Sequence, residues 1–149
     1  MKFKKIIAAL LLSALLTSLC ACGKTEEIKV AVIVKSVDSD FWQNFKSGVD
    51  SAATEYNVSV TFEGPENEED YAAQNKMISR AAENGADVIE LSAIDRTRNA
   101  PTVNAAVRNG VQVIAADSAL DSSLISLFIG TDNPAAGIEA AKALEAQFP

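Results

Sequence analysis

Val30 to Trp42 reads V-A-V-I-V-K-S-V-D-S-D-F-W. Its first five residues are apolar, mostly β-branched, and do not alternate with polar ones. A strand of that kind is buried on both faces, as in a parallel sheet with helices above and below it. A polar loop follows, Lys35 to Asp40, and then two adjacent aromatics, Phe41 and Trp42. Phe41, Phe45, Val49, Ala52, Ala53 and Tyr56 recur at helical spacing, so an amphipathic helix begins at the aromatics.

Downstream the same alternation repeats. Val58 to Phe62 is a second strand, and the acidic turn Gly64 to Asp70 suits the positive end of the helix that follows it. That helix covers Tyr71 to Glu83, with Ile78, Ala81 and Ala82 inward, and Asn84-Gly85 stops it. Asp87 to Leu91 is a third strand, Ser92 to Arg98 a loop, and Pro101 opens a helix that Asn109-Gly110 ends. Val111 to Ala115 is a fourth strand with Asp117-Ser118 at its carboxyl end, and Leu124 to Ile129 is a fifth. Gly130 to Asn133 leads into a last helix from Pro134 to Ala146, with Asp132 and Asn133 as its cap. Strands alternating with helices make an α/β fold, a three-layer doubly wound parallel sheet. Ligands of such sheets lie outside the carboxyl ends of the strands, where strand order reverses. Here those ends carry Lys35 to Asp40, Glu63 to Asn67, Ser92 to Asp95, Asp117-Ser118 and Gly130 to Asn133, all polar stretches.

Composition removes several classes of function. The net charge is −7, and no Lys/Arg-rich run is present, which argues against nucleic acid as a partner. There is no histidine, so His-based triads and His metal sites are excluded. The first βα loop, K-S-V-D-S-D, lacks G-x-G-x-x-G, and neither a phosphate-binding G-x-x-x-x-G-K-[ST] nor a G-x-S-x-G elbow occurs. No EF-hand spacing appears, and no cofactor or metal is expected. Carboxylate pairs have no fixed spacing, so an acidic hydrolase site stays open on sequence alone. A DNA-binding repressor on the same core would need an N-terminal helix-turn-helix, and a secretion signal stands in that place. Catalytic readings therefore fare poorly on these residues, and an enzyme is not expected.

That signal occupies residues 1–21. Lys2, Lys4 and Lys5 precede the apolar run Ile6 to Leu19, which is short of the about 20 residues a membrane span needs. Leu19-Cys20-Ala21-Cys22 resembles the bacterial lipobox, with Leu19 three residues before Cys22 and a small residue just before it. Cys22 is the expected lipidation site, residues 22–27 a lipid-anchored tether, and 28–149 the folded lobe. The location expected is the extracytoplasmic face of the cell membrane.

Each candidate at the strand ends has two readings from its residue type. Phe41 and Trp42 are either core or a wall on which a sugar ring stacks. Successive helical positions point about 100° apart, so both do not easily enter one core and at least one should face the strand ends. Lys35 is a solvated loop lysine or a donor to a hydroxyl or carbonyl. Asp117 caps the next turn or accepts from vicinal hydroxyls. Asp95 fits a turn or a site equally, and Asp38 lies close enough for Lys35 to neutralise.

From Ile28 to about Leu144 the chain resembles the amino-terminal lobe of type I periplasmic substrate-binding proteins, the ribose/galactose-binding group that feeds ABC importers. The motifs that carry this are V-A-V-I-V-K-S-V-D-S-D-F-W, E-G-P-E-N-E-E-D with Gln74 after it, G-A-D-V-I-E-L-S-A-I-D, N-G-V-Q-V-I-A-A-D-S and I-G-T-D-N-P-A-A-G. The resemblance implies strand order 2-1-3-4-5 and a sugar or polyol as ligand. It implies that Phe41 and Trp42 sandwich the ring, that Asp117 accepts from its hydroxyls, and that Ser92 is a polar contact. Ser39 and Ser118 stand at ligand-lining positions where the ribose-binding pattern often has other residues. Lys35 and the E-G-P turn are similar to the subgroup that includes autoinducer-2-binding proteins, in which a lysine and an aspartate in these positions contact the ligand. A membrane permease is the implied partner of a monomeric binding protein. The alternative is a sensing role, with the ligand presented to a membrane receptor. The family has two lobes that close over the ligand, and the expectation here is a fragment that carries the first.

Overall fold

The computed structural model describes residues 27–148. The expected signal peptide, the Cys22 lipidation site and most of the tether lie outside the described residues. β1 (Lys29–Ile33), α1 (Asp40–Tyr56), β2 (Ser59–Glu63), α2 (Tyr71–Glu83), β3 (Val88–Leu91), α3 (Ala100–Arg108), β4 (Gln112–Ala116), β5 (Leu127–Ile129) and α4 (Asn133–Gln147) follow one another along the chain. The five strands form one sheet in the order β2-β1-β3-β4-β5. Every pairing is parallel.

Helix ends are set by local chemistry. Ser39 and Asp70 cap α1 and α2 by accepting from the amides of Trp42 and Ala73. At the other end of α2, Gly85 has φ +76°, with Ala86 N–H donating to Ala81 O and Gly85 N–H to Ala82 O. Gly110, φ +96°, closes α3 through the same two bonds, Val111 to Ala106 and Gly110 to Val107. Both are Schellman ends, in which glycine takes the left-handed turn without a Cβ penalty. Each Asn-Gly pair is followed within three residues by a strand.

Register decides which side chains share a face. Ile33, Leu91, Ala115 and Phe128 form one row, on the face covered by α2 and α3. Val32, Glu90, Ile114 and Leu127 form a row on the other face. There α1 packs through Trp42, Phe45 and Val49 against Val32, Val34 and Val60. The fifth strand is shorter than Leu124 to Ile129. Ser122 Oγ takes the Leu124 amide in a turn, and ladder bonding begins only where Ser126 N–H reaches Val113 O. α4 is capped by Asp132, which accepts from Ala135 N–H, and has no buried residue.

Candidate functional site

Lys35 lies two residues past the end of β1 and Asp117 one past the end of β4, so two strands on either side of β3 bring these groups to the same end of the sheet. Lys35 Nζ lies 2.9 Å from Asp117 Oδ2. Ser118 Oγ donates to the same oxygen at 3.0 Å. Lys35 is 21% exposed and Asp117 39% exposed, so the pair sits at the surface of the sheet end with water on one side. Burial, the largest single influence, pushes the Asp117 carboxyl up. The hydrogen bonds from Lys35 and Ser118, with the lysine charge, outweigh it and hold the group below the usual carboxylate range. Asp117 stays ionised at neutral pH, as an acceptor of hydroxyl hydrogen bonds.

Asp117 also has φ +61°. Ser118 N–H donates to Ala116 O at 2.6 Å, closing a three-residue turn around it. A γ-turn with positive φ at its centre is rare and strained, and such backbone costs about 1–3 kcal/mol and gathers at functional sites. The turn redirects the chain at the end of β4 and holds the carboxylate at the sheet end.

The two aromatics divide. Trp42 is 2% exposed and packs against Val32 and Val34. Its indole Nε1 donates to Glu68 Oε1 at 2.7 Å. Phe41 is 57% exposed. Its ring meets Trp42 edge to face, with centroids 4.8 Å apart. The expected pair of stacking aromatics is thus one open ring, Phe41, supported by a buried one. The 100° offset between neighbours on α1 turns Trp42 onto β1 and Phe41 away from it.

Other expected contacts take local partners. Ser39 is the N-cap of α1. Ser92 is buried, with its amide donating to Ile33 O. Asp95 accepts from the Thr97 and Arg98 amides, the Thr97 hydroxyl and Arg98 Nε. The Arg98 amide, then the Arg98 side chain and the Thr97 hydroxyl, hold its carboxyl far below the usual range. Asp95 organises its own turn, with both oxygens engaged. Asp38 is exposed, and its amide donates to Ser36 Oγ. The structure therefore brings Lys35, Asp117 and Ser118 into direct contact, leaves Phe41 open on the first turn of α1, buries Trp42 and Ser92, and engages both carboxylate oxygens of Asp95 in its own turn. Glu68 and Ser36 escaped the sequence reading. Glu68 was one acidic residue among several, and nothing local marks it as the partner of an indole 26 residues away.

The sequence profile of the family described as "periplasmic binding protein domain" matches residues 30–149. The chain is 26% identical over 144 residues to the D-xylose-binding periplasmic protein of Escherichia coli (strain K12), covering 97% of this chain and 42% of that protein. A solved sugar transporter from Clostridium phytofermentans superposes with a TM-score of 0.75 at 32% identity, over 81% of this chain and 45% of the other. An ABC transporter solute binding protein from Agrobacterium vitis with bound D-fucose gives 0.74 at 36% identity, over 80% and 42%. The chain spans less than half the length of each of these three proteins.

Proposed function

The chain belongs to the periplasmic binding protein family, and on that premise we propose that it is the sugar-binding amino-terminal lobe of an extracytoplasmic solute-binding lipoprotein serving an ABC importer. The observation that carries this reading is the Lys35–Asp117 pair at the carboxyl ends of β1 and β4, to which the exposed Phe41 on the first turn of α1 adds an open aromatic ring. A sugar offers an apolar C–H face and a rim of hydroxyls. Phe41 takes the first by stacking. Asp117 accepts from two adjacent hydroxyls, and Lys35 donates to a hydroxyl or ring oxygen. The ligand enters the ion pair as a bridge, so both charges keep partners when water leaves. Ser118 orients the carboxylate from the side, and Trp42 fixes the stacking ring from beneath. Relatives named for D-xylose and found with D-fucose support a neutral monosaccharide of pentose or deoxyhexose type. Binding is non-covalent. A second lobe closing over the ring would complete the site and present it to a permease, with the protein held at the membrane through Cys22.

Titration calorimetry of the full-length protein against pentoses, hexoses, deoxyhexoses and polyols tests this. Saturable binding of at least one, lost in Asp117→Ala and weakened in Phe41→Ala, is the expected result. No saturable binding of any of them ends the proposal.

A further inference from the structure

One fully buried polar side chain ties together two of the loops at the strand ends without facing the cleft. Gln74 is 0% exposed and lies on α2 in line with Ile78 and Ala81, one and two turns on, which belong to the main core. A carboxamide in that position is costly unless it is hydrogen-bonded. Its Nε2 donates to Val34 O and to Ser92 O, each at 3.0 Å. Its Oε1 accepts from the Ile94 amide at 3.0 Å.

These partners share one place. Val34 immediately precedes Lys35, and Ser92 and Ile94 follow β3. The order β2-β1-β3-β4-β5 reverses between β1 and β3, the place at which ligands of such open sheets lie. Their last mutual backbone bond is Ser92 N–H to Ile33 O, at 3.0 Å. Beyond it the carbonyls of Val34 and Ser92 no longer bond across, and Gln74 supplies the next rung from the side. The 92–95 loop is pinned once more from below. Asn99, also 0% exposed, accepts from the Asp95 amide at 2.8 Å and donates to Asn75 Oδ1 at 2.9 Å.

We propose that Gln74 is a positioning residue for the ligand site. It sets the separation of the β1 and β3 ends, and with it the approach of Lys35 to Asp117, while never touching the ligand itself. The role rests on the sugar-binding reading above. An apolar side chain of similar volume would fill the space on α2, yet leave two carbonyls and an amide without partners, and the loops would splay to reach water. Small displacements of positioned groups are expensive for recognition, because hydrogen bonds to hydroxyls depend steeply on distance and angle.

Gln74→Met and Gln74→Glu in the full-length protein test this, with affinity measured for whichever sugar the unaltered protein binds most tightly. The temperature is chosen so that near-UV circular dichroism shows both variants fully folded. Both variants should bind about tenfold more weakly per folded molecule at neutral pH. A protonated glutamate regains one donor, so Gln74→Glu should recover relative to the unaltered protein as pH falls, and Gln74→Met should not. Unchanged affinity in both folded variants overturns the positioning role while leaving the sugar-binding reading intact. No binding by the unaltered protein overturns that reading first. Should neither variant fold, amide exchange at Ile94 in the unaltered protein decides: protection equal to that of β3 supports the clamp, and exchange at open-loop rates overturns it.

Discussion

The two faces of the sheet are built to different standards. Along the row on the α2/α3 face, Ile33, Leu91 and Ala115 are each 0% exposed, and accessibility begins only at Phe128, 44% exposed on the edge strand. Along the corresponding row on the α1 face, burial decays strand by strand. Val32 is 2% exposed, Glu90 and Ile114 are half-buried, and Leu127 is 52% exposed. An open groove of about 460 Å³ lies between α1 and the sheet, lined by Phe45, Val49, Val60 and Glu90 among others. One face is a closed core, and the other is a small cluster of Val32, Val34 and Trp42 with partly buried neighbours. The candidate site straddles this difference. Asp117 directly follows β4, whose Val113 and Ala115 belong to the closed core, whereas Phe41 stands on α1, which rests on the smaller cluster. The carboxylate thus adjoins the closed core and the Phe41 ring the smaller cluster.

The largest test of that contrast is a pair of truncations. Ile89 is 0% exposed at the centre of the closed face, and Ile138 on α4 is 56% exposed. Ile89→Ala removes buried methylenes and leaves a cavity, at a cost of about 4 kcal/mol. Ile138→Ala touches no core and should stay within about 0.5 kcal/mol of the unaltered protein. Equilibrium denaturation in urea reads both. Equal losses at the two positions would mean that Ile138 is packed in a core comparable to that around Ile89.

A smaller effect separates strain from charge at the end of β4. Asp117→Gly and Asp117→Ala both delete the carboxylate and its pair with Lys35, an exposed contact worth about 0–1 kcal/mol. They differ at φ +61°, which glycine adopts freely and alanine does not. Asp117→Gly should therefore be more stable than Asp117→Ala by about 1 kcal/mol. Identical melting temperatures for the two would show that the turn relaxes and stores no strain.

Much of this was legible in the chain because the deciding interactions are local. The Asn-Gly stops, the Asp132 cap and the apolar run of β1 act within a few residues, and they place α2 at Tyr71–Glu83 and the five strands in a parallel order. The division between Phe41 and Trp42 is a different matter. Both are large aromatics on the first turn of α1, and what separates them is the position of β1 beneath the helix and an acceptor on Glu68, supplied from the loop between β2 and α2. The surroundings of Ser92 and Asp95 were equally hidden. A serine after a strand looks the same whether its side chain faces a cleft or a core, and an aspartate two residues before a threonine serves a turn or a ligand with the same atoms. Gln74 did carry a signal, a polar residue in line with Ile78 and Ala81 on an apolar helix face, but only the structure shows which carbonyls it meets.

The smallest expected effect comes from the carboxylate on the less covered face. Glu90 sits in mid-row on the central strand β3, and burial raises its carboxyl above the usual glutamate value. The sign of the linkage follows from that direction. Below the ordinary glutamate pKa the group is protonated in both folded and unfolded chains and costs nothing. As pH rises from there through the higher folded pKa, the unfolded chain releases its proton first, so stability falls, and above the folded value the full cost of a desolvated charge is present. Glu90→Gln keeps the shape without the charge. It should be more stable than the unaltered protein at neutral pH, converge with it in acid, and lose this part of the pH dependence, as thermal melts across the acid-to-neutral range would read. An isosteric change at Asp95, whose carboxyl is depressed, should tilt the opposite way, since its contribution is present above the ordinary aspartate pKa and fades only in strong acid. If Glu90→Gln instead gains nothing at neutral pH, then water reaches that carboxylate freely, and the α1 face is more open at its centre than the burial of its neighbours implies.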